Sequence, residues 1–474
     1  MIYLPQPAKV GVQSSTTSTR KGREMASQHR RFTRTHAVTA GIAAVALLSA
    51  CSGGSGGTSD SGFGFQSVEQ DKSAPITVWV DASREPIAKA FEAENPDTKI
   101  NIETYDGNSG GSDSFKTKIA LFDQSGEGWP DVVFSTQNND SSWAAKDLNG
   151  SQAFAAPLNK GLLDDKFLDG FTAGANDPMT VDGNVYGLRN DLAPVVLWYN
   201  QPLLDQFGYD IPKTWEDYEA LSDKLAADHP GYILGSVGDS FVGTYVYYWG
   251  AQAPIFQLKG DDFSTDFSDE HSTRMTKMLD HMIDNGTLVQ DSVFSADFLK
   301  YKDKLVATPG PAWFSGAIFQ NPDSLNAPAG QIGAADPLYW DGEEKVTGNV
   351  GGGVWYASSH SKNLAAVAKF MEYAISSDKA VELASGLPAY SAAADTWLAT
   401  QSKSGYYVGD FSEAVKTAAS SVWDGWGFPS FSPETAYASV VVPGLAAGKS
   451  IADLVPDWEA EIKNEAQVQG YKVK

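Results

Sequence analysis

The chain has 474 residues, 42% of them hydrophobic, 12% aromatic and 20% charged, which is apolar material for a sizeable core over two or three domains and excludes a disordered chain. Its net charge is −24, and residues 1–50 hold seven of the 35 basic side chains but only one acidic side chain, Glu24, so the remainder is more acidic still. Such a body repels phosphate backbones, which argues against nucleic acid as a partner, and its only cysteine, Cys51, excludes an intrachain disulfide or a cysteine-based metal site.

The first fifty residues read as an export signal. Arg30, Arg31 and Arg34 precede the apolar run 37–48, which is too short to span a bilayer as a mature helix. Leu48-Ser49-Ala50-Cys51 resembles a bacterial lipobox, which implies cleavage before Cys51 and a diacylglyceryl group on its thiol. The paired arginines fit a twin-arginine signal poorly in their flanks, and Met25 offers a second start that would make residues 1–24 an over-extended one. Residues 51–71 then form the lipidated cysteine and a Gly/Ser tether, so the mature protein is expected on the outer face of the cytoplasmic membrane, of a Gram-positive bacterium by its composition. No other run of about 18 apolar residues is present, so no transmembrane helix is expected.

The folded part begins near Asp71. Residues 76–80 read as a buried strand, and Ser83 is placed to cap a helix with Glu85 and Pro86 in its first turn and Ile87 and Phe91 on its inner face. Residues 99–105 alternate as a strand does, and a Gly/Ser/Asp loop, 106–113, leads into a helix over 114–123. Residues 130–135 form a third strand that runs into a polar loop, 136–140. This order predicts an α/β fold with a parallel sheet covered on both faces. Further on, 195–199 read as a strand, and Pro212, Thr214 and Asp217 open a helix whose Trp215, Tyr218, Leu221 and Leu225 share one face. Residues 231–235 suggest a strand that starts a second α/β unit. Asn363 caps a helix through Ile375, and Ser432-Pro433-Glu434 opens another. With no repeat and no long linker, two intimately connected lobes are expected.

Six motifs in one order carry a resemblance. They are Ile76-Thr-Val-Trp79 with the helix from Ile87 to Pro96, Trp129-Pro-Asp-Val-Val133, Gly187 through Trp198-Tyr199-Asn200, Ile211-Pro-Lys-Thr-Trp-Glu-Asp217, Pro311-Ala-Trp-Phe-Ser315, and Gly351-Gly-Gly-Val-Trp355 with Ser361-Lys-Asn363. Over roughly residues 74–470 the chain resembles the sugar-binding group of extracellular solute-binding proteins of ABC importers, which includes maltose-binding proteins; Trp198 departs from the commoner aliphatic or Tyr residue. The resemblance implies a two-lobed periplasmic-binding-protein-like fold with a hinge and an interlobe ligand cleft. It places one lobe at 72–191 plus 352–388 and the other at 194–350 plus 389–474. It further implies a neutral oligosaccharide ligand, closure by a hinge, and delivery to ABC permease subunits, with ATP hydrolysis belonging to that partner and not to this chain.

A neutral sugar presents hydroxyls that must be paired when buried and CH faces that suit aromatic rings, and in parallel sheets such groups gather at the carboxyl ends of strands. By that rule the candidates are Trp79 and Asp81 after the first strand, Asn108, Ser112 and Asp113 after the second, and Gln137, Asn138, Asn139 and Asp140 after the third. Asn190 and Asp191 precede the crossing, and Asp239 follows the 231–235 segment. Trp249 ends an aromatic run, and Trp423 and Trp426 flank Asp424-Gly425. The resemblance adds Trp313, Trp340 and Trp355 as stacking rings. Each candidate also has a plain structural alternative, the loops as solvated turns or caps and the rings as core, and Trp215 is assigned to packing.

Gly107-Asn-Ser109-Gly-Gly111 matches the nucleophile-elbow pattern of serine hydrolases. No histidine precedes Ser109 in the mature chain, however, and the later ones fall on an amphipathic helix (His271, His281) or in turns (His229, His360). A glycoside hydrolase has no diagnostic carboxylate spacing to show. Metal and nucleotide motifs are absent, so no cofactor and no metal are expected. The remaining alternative is a binding protein for a polyol, an amino acid or a phosphorylated polyol; a phosphate would call for arginine, and only Arg84 and Arg189 lie near the candidate loops. The expectation is a monomeric binding protein that is not an enzyme.

Overall fold

The computed structural model describes residues 62–105, 112–138, 140–146 and 152–474, within a compact unit that runs from Gly57 to Lys474. The export signal, Cys51, most of the tether and the Gly107–Gly111 pattern lie outside the described residues.

Two sheets organise the chain. The first has five strands in the order Ile100–Thr104, Ile76–Val80, Val132–Ser135, Val354–Ala357, Gly187–Arg189. The first three run parallel, and Val354–Ala357 is antiparallel to both of its neighbours. Period-two alternation sends Ile76, Val78 and Val80 to one apolar cluster and Trp79 with Val133 to another, so both faces are covered. On one face the helices Glu85–Glu94 and Leu364–Ser376 meet through Phe91 and Phe370, edge to face at 5.2 Å. The other face receives Phe122 of the helix Ser112–Ser125 against Trp79.

The second sheet has four strands in the order Ala307–Pro311, Val195–Asn200, Ile332–Ala335, Tyr407–Val408. Val195–Asn200 is antiparallel to its two neighbours, and Trp198 on it packs among Phe319, Tyr407 and Phe411. Beside this sheet the helix Trp215–Asp228 starts on a complete capping box: Thr214 Oγ1 accepts from Asp217 N, and Asp217 Oδ2 accepts from Thr214 N. Trp215, Tyr218, Leu221 and Leu225 are all buried, and Asn363 Oδ1 accepts from Ala366 N to start its helix.

Two local expectations are corrected. Ser83 does not cap the first helix; the turn is made earlier, where Asp81 Oδ1 accepts from Arg84 N at 2.9 Å, and Pro86 supplies the rest of the start. Residues 231–235 are not one strand. Pro230 lacks a donor and Gly231 sits at φ +93, so Tyr232 and Ile233 make only isolated bridges before a two-residue strand, Gly235–Ser236, parallel to Leu288–Val289. The helix that Ser432-Pro433-Glu434 opens is present as Pro433–Ala436, with proline in its first turn.

The chain passes between the sheets three times, at 190–194, 336–353 and 389–406. Asp191–Leu192 pairs antiparallel with Leu387–Pro388, Pro194 bridges Asn349, and Val350 N donates to Ala193 O at 2.9 Å. At their meeting point the Gly351 carbonyl accepts from Arg189 Nη2 (2.6 Å), Asn138 Nδ2 (3.0 Å) and Asn349 Nδ2 (3.1 Å). Arg189 is 4% exposed and its Nε donates to Asp191 O at 2.9 Å. Burial lowers its pKa to about 10, while the neighbouring Asp191 opposes the shift. Gly352 lies at φ +91 against this guanidinium, which a Cβ would overlap.

Two measurements follow from these contacts. Thr214→Ala removes one capping bond and is expected to lower the unfolding free energy in urea by about 1 kcal/mol. Gly352→Ala adds an overlap with Arg189 to the strain of its φ, whereas Gly342→Ala, at φ +76 with nothing within 4 Å, adds strain alone. The Gly352 variant is therefore expected to lose about 2 kcal/mol or more and the Gly342 variant about 1 kcal/mol, and equal losses would remove the role given to the Arg189 contact.

Candidate functional site

Loops at the carboxyl ends of strands converge on a cavity of about 820 Å³. From the first sheet's side come Ser83 and Arg84 after Ile76–Val80, Thr136 and Gln137 after Val132–Ser135, and the crossing residues Asp191 and Gly351 to Gly353. The second sheet's side supplies Asp239, Ser240 and Phe241 after Gly235–Ser236, Phe294 and Ser295 after Leu288–Val289, and Trp313 after Ala307–Pro311, together with Leu299 and Glu434.

The first side is polar and held from beneath. Gln137 N donates to Ser135 Oγ at 3.0 Å, Ser135 Oγ donates to Asp140 Oδ2 at 2.6 Å, and the fully buried Asp140 pairs with Lys116. This chain fixes the loop by its backbone and leaves the Gln137 side chain to the cleft. Gln137 is 6% exposed, yet its carboxamide has no hydrogen-bond partner among the described residues, and the same holds for the buried Thr136 hydroxyl. Arg84 reaches Asp81 Oδ2 at 3.2 Å and Asp191 Oδ1 at 3.7 Å, with its guanidinium 4.5 Å above the Phe134 ring. Asp191 Oδ1 also accepts from Asn190 Nδ2 and Gly353 N.

The second side is mixed. Asp239 accepts from Ser292 Oγ at 2.6 Å and Val293 N at 2.7 Å, and burial raises its pKa against those two bonds. Glu434, 6% exposed, accepts from Ser240 Oγ at 3.3 Å. In the same lining Trp313 is fixed by its Nε1, which donates to Val350 O at 3.0 Å. Phe294 lies nearly parallel to it, 10° apart with centroids at 6.1 Å, and Phe241 is 5.6 Å away. Phe294 is 59% exposed and Leu299 40%, so this aromatic shelf faces open space.

Of the residues singled out in the sequence, Gln137, Asp191, Asp239 and Trp313 line the cleft. Asp81, Asn138 and Asn190 stand behind it: Asp81 holds Arg84, Asn138 holds Gly351, and Asn190 bridges Asp191 and the Trp355 indole. Five tryptophans are core residues that do not line the cleft. Trp79 packs on Phe122, Trp355 donates to Asn190 Oδ1, Trp340 to Ala251 O, Trp249 to Trp423 O and Trp426 to Ala253 O. The half-buried Trp423 packs against the same cluster. Asn108 and Asn139 lie outside the described residues, as does the side chain of Asp113. The cleft-lining Phe241, Phe294, Leu299 and Glu434 were not singled out as ligand contacts. The carboxyl-end rule applied to Leu288–Val289 would have found Phe294, and Phe241 stands two residues past the chosen Asp239.

Among the described residues no helix is long and apolar enough to cross a membrane, and no group of three or more His, Cys, Asp or Glu is placed to hold a metal ion.

The description "bacterial extracellular solute-binding protein" belongs to a family model that matches residues 76–381. An uncharacterised ABC transporter extracellular-binding protein of Pyrococcus horikoshii is 25% identical over 187 residues, 37% of this chain and 40% of that protein. The chain spans about half or less of the length of the first curated relatives it matches. Among solved structures, the ABC transporter associated binding protein of B. animalis subsp. lactis Bl-04 in complex with β-1,6-galactobiose superposes with a TM-score of 0.68 at 22% identity, over 84% of this chain and 99% of that one. The galacto-N-biose-/lacto-N-biose I-binding protein of Bifidobacterium longum, in complex with lacto-N-biose, gives 0.69 at 18% identity, over 86% and 100%. These likenesses show the two-lobed periplasmic-binding-protein-like α/β fold. With the family model running through well over half of its length, the chain belongs to the bacterial extracellular solute-binding proteins.

Proposed function

We propose that the protein is the substrate-binding lipoprotein of an ABC importer, which captures a neutral oligosaccharide in the interlobe cleft and delivers it uncut to a membrane permease. The observation that carries this reading is the pairing, in one cavity, of an exposed aromatic shelf with the carboxamide of the largely buried Gln137, which has no hydrogen-bond partner among the described residues. CH faces of a sugar ring cover Phe294 and Trp313, and its hydroxyls satisfy Gln137 and Thr136. A volume of about 820 Å³ lies within the roughly 300–1,000 Å³ of small-molecule sites. Two solved neighbours carry disaccharides, which supports the same class of ligand here.

A phosphorylated polyol fits less well. Arg84 is the single basic residue among the described residues of the lining, and Asp81 and Asp191 already match it. The lobes are taken as 72–191 plus 352–388 and 194–350 plus 389–474. Val350 to Gly353 belong both to a crossing segment and to the cleft lining, so a ligand resting on them touches the joint that closure must bend. Cys51 carries the lipid anchor in this reading, and nothing in the mechanism asks for a covalent step.

Titration calorimetry on the mature chain with Cys51→Ala, against di- to tetrasaccharides, polyols and amino acids, is expected to give saturable binding to one glycan class with the glycan recovered intact. Phe294→Ala and Gln137→Ala are each expected to weaken it on the order of tenfold, with the unfolding midpoint unchanged. Saturation by a polyol or an amino acid alone would replace the sugar reading, and cleaved glycan would overturn the claim that the protein is no enzyme. Separately, Cys51→Ser is expected to move the protein from the membrane fraction to the medium; retention on the membrane would remove the anchor from the proposal.

A further inference from the structure

We infer that Gln137 selects the ligand by its hydroxyl pattern: the cleft admits a saccharide that brings two free hydroxyls on adjacent ring carbons and rejects one in which either is missing. The inference rests on the saccharide reading and adds to it the pattern that the sugar must carry. Gln137 lines the cavity and is 6% exposed, and its carboxamide has no hydrogen-bond partner among the described residues. A buried amide left unpaired is costly, and native structures keep few of them.

The loop holds the side chain at the cleft from both flanks. The Gln137 N–H donates to Ser135 Oγ at 3.0 Å, and Ser135 Oγ donates to Asp140 Oδ2 at 2.6 Å. On the other flank Asn138 Nδ2 donates to Gly351 O at 3.0 Å, which ties the loop to the crossing. A carboxamide carries an acceptor, Oε1, beside a donor, Nε2, so its complement is a group with a donor and an acceptor at the same short spacing. Two hydroxyls on adjacent ring carbons are such a group: one donates to Oε1 and the other accepts from Nε2. With a methylene in place of either, half of the carboxamide is sealed from water with nothing in return, so the selection acts mainly by exclusion. Taking away both partners leaves no orphan. Loss of the carboxamide therefore harms the parent sugar less than loss of one hydroxyl does.

The test measures, by the same calorimetry, every monodeoxy form of the saccharide that the panel selects. The mature chain is compared with Gln137→Leu, which keeps the bulk of the side chain without its polar atoms, and with Gln137→Ala; unfolding midpoints report that both variants are folded. With Gln137 in place, two monodeoxy forms, at adjacent carbons of one ring, are expected to bind on the order of a hundredfold more weakly than the parent sugar. In both variants the same two are expected to bind within about threefold of the parent, while every other deoxy form loses the same factor as in the unaltered protein. Deoxy costs that are equal with and without Gln137 would overturn the inference and leave the saccharide reading standing. A change confined to one hydroxyl, or to hydroxyls on carbons that are not adjacent, would overturn it in the same way. A polyol as the selected ligand would replace the saccharide reading, and its own monodeoxy forms would decide the inference by the same criterion. An amino acid as the sole binder has no hydroxyl pair and would overturn both.

Discussion

One backbone carbonyl, that of Gly351, organises the joint between the two lobes. It accepts from Asn138, Arg189 and Asn349, which arrive from the loop after a strand, the strand end that leads into one crossing and the last part of another. The demand comes from Arg189. A guanidinium taken out of water must find acceptors for its fork of N–H groups, and here two main-chain carbonyls, of Gly351 and Asp191, serve. With its pKa lowered only to about 10, the group stays charged at neutral pH and the carbonyls must keep facing it. The backbone therefore turns through positive φ at Gly351 and Gly352, and at Gly352 it is pressed against the guanidinium, where a side chain has no room. That is why this part of the cleft presents bare main chain, and why Gly353 N is aimed at Asp191.

The two sides of the cleft inherit their character from this joint. Asp191 is held by Asn190 and Gly353, so it offers Arg84 a fixed anion and keeps that arginine beside Phe134. Across the cavity the Trp313 indole is tied to Val350, one residue before the shared carbonyl. The aromatic shelf is thus anchored to the crossing as well as to its own lobe. Aromatic rings held by their polar handle keep a large apolar face in place at little entropic cost, which is what the proposed contact with sugar CH groups requires.

Much of the fold was legible in the sequence because its signals are local. Alternation in 76–80, the capping box at Thr214 and the cap at Asn363 act within four residues, and each formed as read. The failures are also local in origin: Asp81 made the turn that Ser83 was expected to make, and Pro230 with Gly231 broke a run that otherwise reads as extended. The site was less legible, and the tryptophans show why. Whether an indole packs or lines the cleft is set by neighbours far away in sequence, and its N–H does not decide it: the cleft ring Trp313 donates to Val350 O, while the core indoles Trp79, Trp215 and Trp458 find no acceptor among the described residues. Trp249 finds Trp423 O, Trp340 finds Ala251 O, Trp355 finds Asn190 and Trp426 finds Ala253 O. Phe294 and Phe241 carry no such handle, and nothing in their composition distinguishes them from core phenylalanines; only the position of their loops does.

Where the chain bends is as much a matter of missing bonds as of made ones. Within each lobe the sheets are joined by ladders of up to five paired residues, whereas the crossings share one two-residue pairing and one isolated bridge. Proline keeps them short. Pro388 in the Asp191–Leu192 pairing and Pro194 at the bridge to Asn349 have no N–H to extend either ladder. A hinge motion then strains only a few main-chain hydrogen bonds, while the sheets move as rigid bodies. The Gly351 cluster adds what such a thin joint lacks, since its three side-chain donors hold the register of the crossings without stiffening them as a continuous sheet would. A joint built this way is compliant in angle and fixed in position, which suits a cleft whose two sides must meet the same ligand together.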